Sequence, residues 1–297
     1  MTKAKAPTAT PSCSREAFER HQSPVWVQRF RGHEPHAAQP GTFAHTYAVI
    51  VLITRGLSRI RHTGDLVLRA GDVHLIPPGD AHGAAHFDDM EGWALAFHPE
   101  AFPQDDTSWG SQTGLKLGPL LRVRSGCHPV LRPDATQRRR LEEWMRLLAH
   151  ELEGDQPSRD DAVSALLRLV LIELERMSGP EPAPEPAGQG TARQALTYIE
   201  ANALESLSLA QVAQAVDRSP THVASVMRKE TGRTVGQWIL EYRMAEARRR
   251  LRGTDERVEV IAERVGYADV THFIRLFRRT HGLTPAAWRR QGSHAAS

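Results

Sequence analysis

Two stretches in the last third of the chain repeat one another, and no other feature limits the fold as tightly. "LAQVAQAVDRSPTHVASVMRKETG" (209–232) and "VEVIAERVGYADVTHFIRLFRRTHG" (258–282) align as helix, tight turn, helix and a closing Thr-Gly or His-Gly. Their turns fall at Asp217 and Gly266, 49 residues apart. A helical pattern at 235–251 joins the two units. Helices are therefore expected at about 192–204, 209–216, 220–231, 235–251, 258–265 and 270–281.

Each unit carries the local chemistry of a helix-turn-helix. Ser208 and Gln211 form a capping box for the first short helix. Ser219 can cap the next helix, with Pro220 at its first position, where a missing N–H costs nothing. Asp269 takes the capping role in the second unit, and Gly266 suits its turn. Ala213 and Ala262 are small where paired helices must approach closely. The second helix of each pair then divides into two faces. Val223, Val226 and Met227 point inward, against Thr221, Ala224, Ser225 and Arg228 outward. Phe273, Ile274, Leu276 and Phe277 pack, leaving Thr271, His272, Arg275 and Arg278 toward solvent. A helix held by its apolar face and started by a tight turn can lay its N-terminal half in a major groove. Arginine there can pair with guanine. Arg278 and Arg279 lie further along, where phosphates would pass.

Charge agrees with a polyanionic partner. From Thr191 onward the chain holds 17 Lys and Arg against 11 Asp and Glu, a net of +6; the preceding residues hold 21 against 24. Between the two parts lies "SGPEPAPEPAGQGT" (178–191), whose alternating prolines suit an extended spacer. Residues 1–23 read as a flexible arm, polar and without the apolar centre of a signal peptide. No run of about 18 apolar residues occurs, so no membrane partner is expected. Cys13 and Cys127 cannot build a disulfide framework, which suits a reducing cytoplasm.

Residues 25–100 read as short strands separated by Gly, Pro and Asp, as in an antiparallel barrel or sandwich. Helical patterns follow at 134–153 and 159–177. Leu141, Trp144, Met145, Leu148 and Leu152 make one apolar stripe, and Val163, Leu166, Leu167, Val170, Leu171 and Leu174 another. Such stripes can pack on their own domain or form a dimer interface.

The C-terminal pattern closely resembles the DNA-binding domain of AraC/XylS-type transcription regulators. The resemblance covers about a hundred residues. It rests on the Ser-Pro opening the helix at 220, "TG" after it, "YRMAEARRRL", "IAERVGY", "FIRLFRR", and Gly282, Thr284, Pro285, Trp288 and Arg289 at the end. It implies two helix-turn-helix subdomains bridged by a rigid helix, with recognition helices entering successive major grooves about 34 Å apart. Carried over by position, the base readers would be Thr221, Ala224 and Ser225 in the first unit and Val270, Thr271, His272 and Arg275 in the second.

"GDVHLIPPGDAHGAAH" (71–86) fits the second signature of cupin barrels through Gly71, Pro77, Gly79 and His82, with His86 in the last position. "GTFAHTYAVIVLITRG" (41–56) resembles the first less well: His45 is in place, but Tyr47 occupies the second histidine position and no glutamate follows. A metal site with three or four N/O ligands is not expected from this set. His45, Tyr47 and His82 are instead candidate effector contacts in the barrel mouth.

The expectation is thus a two-domain chain: an all-β cupin-like barrel with following helices (24–177), a Pro-rich linker (178–190) and an all-α double helix-turn-helix domain (191–292). It would be a cytoplasmic, non-catalytic, effector-responsive regulator without a cofactor. It would bind double-stranded operator DNA, form a homodimer and, as an activator, meet RNA polymerase. A metal-dependent cupin enzyme with an accessory helical domain, and a nucleoid-type binder without sequence preference, are the competing classes.

Overall fold

The computed structural model describes residues 23–32, 44–62, 64–98, 101, 118–124, 126–154, 156–178 and 190–294, without the side chains of residues 32, 84–88 and 291–294. The flexible-arm expectation and most of the linker lie outside the described residues, as does the His86 side chain.

The N-terminal half is one antiparallel sheet in the order β1 (Val25–Gly32), β5 (His82–Phe97), β2 (Ala48–His62), β4 (Val73–Ile76), β6 (Val130–Leu131), with β3 (Asp65–Arg69) also paired to β2. The sequence pattern suggested short strands, but β2 and β5 run 15 and 16 residues. Register shifts between Ile53 and Arg55, Arg55 and Leu57, and Arg59 and Ile60 explain the difference. Each shift bends the ladder without ending it, so glycines that resemble turn signals fall inside long strands. Among the described residues the sheet stays open: β1 and β6 are unpaired edges, which corrects the expected closed barrel.

Alternation along β2 places Ala48, Ile50 and Leu52 in one cluster and Val49, Val51 and Ile53 in another. The first cluster is roofed by α1 (Gly118–Arg124), α2 (Ala135–Glu153) and α3 (Arg159–Ser178), through Leu120, Leu141, Met145, Leu148, Leu167, Val170 and Leu174. The second draws only on the sheet itself, including Trp26, Phe30, Leu68 and Met90, so the sheet curls over its own inner face. Both faces are buried, and β2 therefore reads as a continuous apolar run rather than an alternating one. The stripes on α2 and α3 pack on their own domain, leaving Leu147, Leu169 and Ile172 exposed.

The C-terminal half is helical: α4 (Thr191–Asn202), α5 (Leu209–Ala215), α6 (Pro220–Thr231), α7 (Val235–Gly253), α8 (Val258–Arg264), α9 (Val270–His281) and α10 (Pro285–His294). Helix α10 was not expected from apolar periodicity, nor was α1. Helix α7 serves two cores. Its first half gives Val235, Trp238 and Ile239 to the core of the first unit, and its second half gives Met244, Ala247 and Leu251 to that of the second.

Candidate nucleic-acid interface

Helices α6 and α9 have the same construction. In α6 the Ser219 hydroxyl accepts the His222 amide at 3.2 Å, and Pro220 begins the first turn. In α9 the Asp269 carboxylate accepts the Thr271 amide at 2.8 Å. Each helix closes on a left-handed glycine, Gly232 at φ 70° and Gly282 at φ 76°. Each buries a strict i, i+4, i+8 stripe: Val223, Met227 and Thr231 in one, Phe273, Phe277 and His281 in the other. The repeat runs on into the following helix. Trp238 Nε1 donates to Thr231 Oγ1 at 2.9 Å, and at the matching places His281 and Trp288 lie with ring centroids 5.2 Å apart.

That stripe fixes what faces outward. Thr221, Ser225 and Arg228 are exposed on α6, with Ala224 half-buried beside them. Thr271, His272, Arg275 and Arg278 are exposed on α9. The His272 ring stands edge-on to Tyr267 at 5.8 Å, which holds it near the start of the helix. Burial pushes the Tyr267 hydroxyl above its ordinary range, with the Arg243 guanidinium opposing. Val270 departs from expectation: it is half-buried and packs against the second core, so it supports α9 rather than presenting a free edge. Arg228 and Lys229 end α6, and Arg278 and Arg279 end α9, where cations complement the helix dipole.

On the sensor side, the three candidate effector contacts meet. His45 stacks on Tyr47 with centroids 4.2 Å apart and meets His82 edge-on at 4.7 Å. Three further histidines, whose convergence spacing does not reveal, join them. His98 lies 5.4 Å from Tyr47. His62 is the cross-strand partner of His82, and its Nδ1 lies 2.8 Å from His74 Nε2. His62 Nε2 is 3.3 Å from Asp80 Oδ2. A carboxylate only accepts, so His62 donates from Nε2; with a neutral ring, Nδ1 then accepts from His74. His82 Nδ1 donates to the Asp80 carbonyl at 3.0 Å. Among the described residues no group of His, Cys, Asp and Glu is arranged to hold a metal ion. A separate open groove of about 620 Å3 lies between β3 and β6, lined by Arg69, Asp72, His128 and Arg132 among others, and does not include the candidate effector contacts.

Asp80 also joins the two halves of the molecule. Arg193 of α4 donates to Asp80 Oδ2 at 2.9 Å. Nearby, Arg124 of α1 pairs with Glu200 of α4 at 2.6 Å. A Cβ on Gly79 would come within 2.9 Å of Leu196 Cδ1, so only glycine lets the loop and α4 approach this closely. Ala44 completes the joint by packing into the core of the first unit. Tyr242 of α7 lies behind it; burial raises its hydroxyl pKa, with Glu200 adding and Arg124 opposing.

The same two-part division is found in known proteins. Residues 29–171 match the AraC-like ligand binding domain, and residues 212–291 match a helix-turn-helix domain family. The arabinose operon regulatory protein of Salmonella typhimurium (strain LT2) is 26% identical over 249 residues, covering 81% of this chain and 83% of that protein. Its counterpart in Escherichia coli (strain K12) is 25% identical, covering 81% and 80%. The chain belongs to the AraC family. A more distant relative is the HTH-type transcriptional activator RhaR of Enterobacter sp. (strain 638), 25% identical over 85% of this chain and 88% of that one.

This AraC-family chain is a DNA-binding transcription regulator with a cupin-like sheet domain ahead of its helix-turn-helix domain. The competing enzyme class finds no support among these relatives, which are regulators. Among the described residues no helix is long and apolar enough to cross a membrane.

Proposed function

We propose that this regulator reads two short boxes in successive major grooves, α9 supplying most of the sequence preference and α6 the lesser share. The observation that carries this is the matched pair of capped helices whose exposed sides differ in chemistry. Thr271, His272 and Arg275 offer long or directional hydrogen-bonding groups, whereas Thr221, Ala224 and Ser225 are small. Small side chains contact thymine methyls and permit close approach. Arg228 and Arg278 act as backbone anchors.

A small-molecule effector engages His45, Tyr47 and His82, and the response passes along His82 to Asp80 and so to Arg193 on α4. Effector and DNA then favour one arrangement of the same joint, which is what coupling between two sites requires. Leu169 and Ile172, exposed on α3, form the homodimer contact with Leu147 of α2. The protein works in the cytoplasm and, like the activator among its relatives, raises transcription by meeting RNA polymerase.

The test is selection of a random duplex library on the full-length protein, beside an Arg275→Ala/His272→Ala variant. Two boxes about 10 bp apart, with one lost or altered in the variant, support the reading. Identical enrichment by both proteins would remove α9 from base recognition.

A further inference from the structure

Arg243 sits midway along α7, between the side chains given to the first core and those given to the second. Its guanidinium is spent on backbone carbonyls of both units. Nε donates to Ala203 O at 2.7 Å and Nη2 to Glu205 O at 2.7 Å, both in the loop after α4. Nη1 donates to Gly266 O at 3.0 Å, in the turn of the second unit. The same group lies 5.2 Å over the Tyr267 ring. The two backbones also touch at this point. Gly266 has φ +83°, and a Cβ there would fall 2.6 Å from Leu204 O. A planar fork of fixed donors is suited to holding three acceptors at set angles, which a lysine ammonium on a flexible stem cannot reproduce.

We propose that Arg243 is a positioning residue that locks the two helix-turn-helix units in one mutual orientation and so sets the spacing of the two DNA boxes the protein accepts. It acts through the carbonyls of Ala203, Glu205 and Gly266, not at a base edge. Without it, α7 still connects two intact cores, but the loop of the first unit and the turn of the second are free to part. The effect on DNA rests on the two-box reading above; the effect on orientation does not.

Two measurements on the full chain separate these. In the first, Cys13 and Cys127 are replaced by serine and spin labels are placed at Lys229→Cys and Arg279→Cys, both exposed, on α6 and α9. The labelled chain is diluted with unlabelled chain, and the distance distribution is read by pulsed electron resonance. One narrow distance is expected with Arg243 and a broadened one with Arg243→Ala or Arg243→Lys, at unchanged helical circular dichroism. In the second, duplexes carrying the selected boxes are compared with duplexes in which the spacing is changed by one or two base pairs. Preference for the original spacing should shrink by about tenfold in the variants, the scale of one charge-assisted hydrogen bond. A narrow distance with unchanged spacing preference overturns the proposal. An equal loss of affinity at every spacing also overturns it, marking Arg243 as a phosphate contact. A parent protein with no spacing preference overturns the two-box reading and with it the effect on DNA, while the distance measurement still decides the lock. If Arg243→Ala does not fold, Arg243→Lys carries both tests.

Discussion

Replacing Arg193 with alanine takes away the cation that Asp80 holds at 2.9 Å, and the loss can be sized from the surroundings. Asp80 is 6% exposed, and its remaining side-chain partner is His62 at 3.3 Å. Removing one member of a fully buried pair costs about 3–5 kcal/mol, because the other charge stays behind in a poor solvent. That figure is an upper bound here. The Arg193 side chain is 17% exposed, His62 still donates to the carboxylate, and the two domains can separate enough to admit water. A hydrogen bond to a charged group, about 1.5–3 kcal/mol, is the better guide. The expected coupling in an Asp80→Ala, Arg193→Ala double-mutant cycle is therefore about 1.5–3 kcal/mol. The loss should appear as loosening of the joint, since each side has its own apolar core. Urea unfolding of the four proteins gives the coupling, and hydrogen exchange across 77–82 and 191–202 locates it. Coupling below about 0.5 kcal/mol, the range of simple additivity, with unchanged exchange in both segments would refute the reasoning.

Four further outcomes are expected. Arg275→Ala should weaken binding to the selected site by about 1–3 kcal/mol with much less effect on random DNA, measured by titration at fixed salt. Arg278→Ala should weaken binding to all duplexes alike and lower the salt slope by about one, which titration across a salt series reports. Phe277→Ala empties a fully buried position between Phe273, His281 and Trp288 and should cost about 3–5 kcal/mol, read by urea unfolding. Leu169→Glu with Ile172→Glu should give a monomer in sedimentation analysis while the fold is kept; a persistent dimer would put the contact elsewhere.

The helical half was largely legible in the sequence because its signals are local. Capping boxes pair residues three apart, as in Ser208 with Gln211, and the packing stripes repeat every turn. Helix α10 escaped because its start, Thr284-Pro285, continues into "AAWRRQ" with little apolar periodicity. The sheet was read less well. Bulges inside β2 and β5 let each strand run through residues that resemble turns. Of the site residues, the outward faces of α6 and α9 followed from periodicity, except that Val270 turns inward. The histidine cluster did not follow, because His62 meets His82 through strand register and Asp80 meets Arg193 across 113 residues of chain. Arg243 was equally hidden: its partners are backbone carbonyls, which leave no mark on side-chain pattern.

The two turns of the repeat bear on how such a protein could be re-engineered. Asp217 and Gly266 occupy matching places and both have positive φ, 52° and 83°. Aspartate tolerates that conformation where its side chain has room. At Gly266 the Leu204 carbonyl occupies the space a side chain would need. A transplant of the first turn into the second place should therefore pry the units apart, whereas glycine at 217 meets no such obstacle from its backbone angle. Exchanging the outward residues of α6 and α9 is a separate operation, since neither turn nor packing stripe takes part in it. New sequence preferences can be written onto the reading faces one at a time, provided that the second corner keeps its glycine.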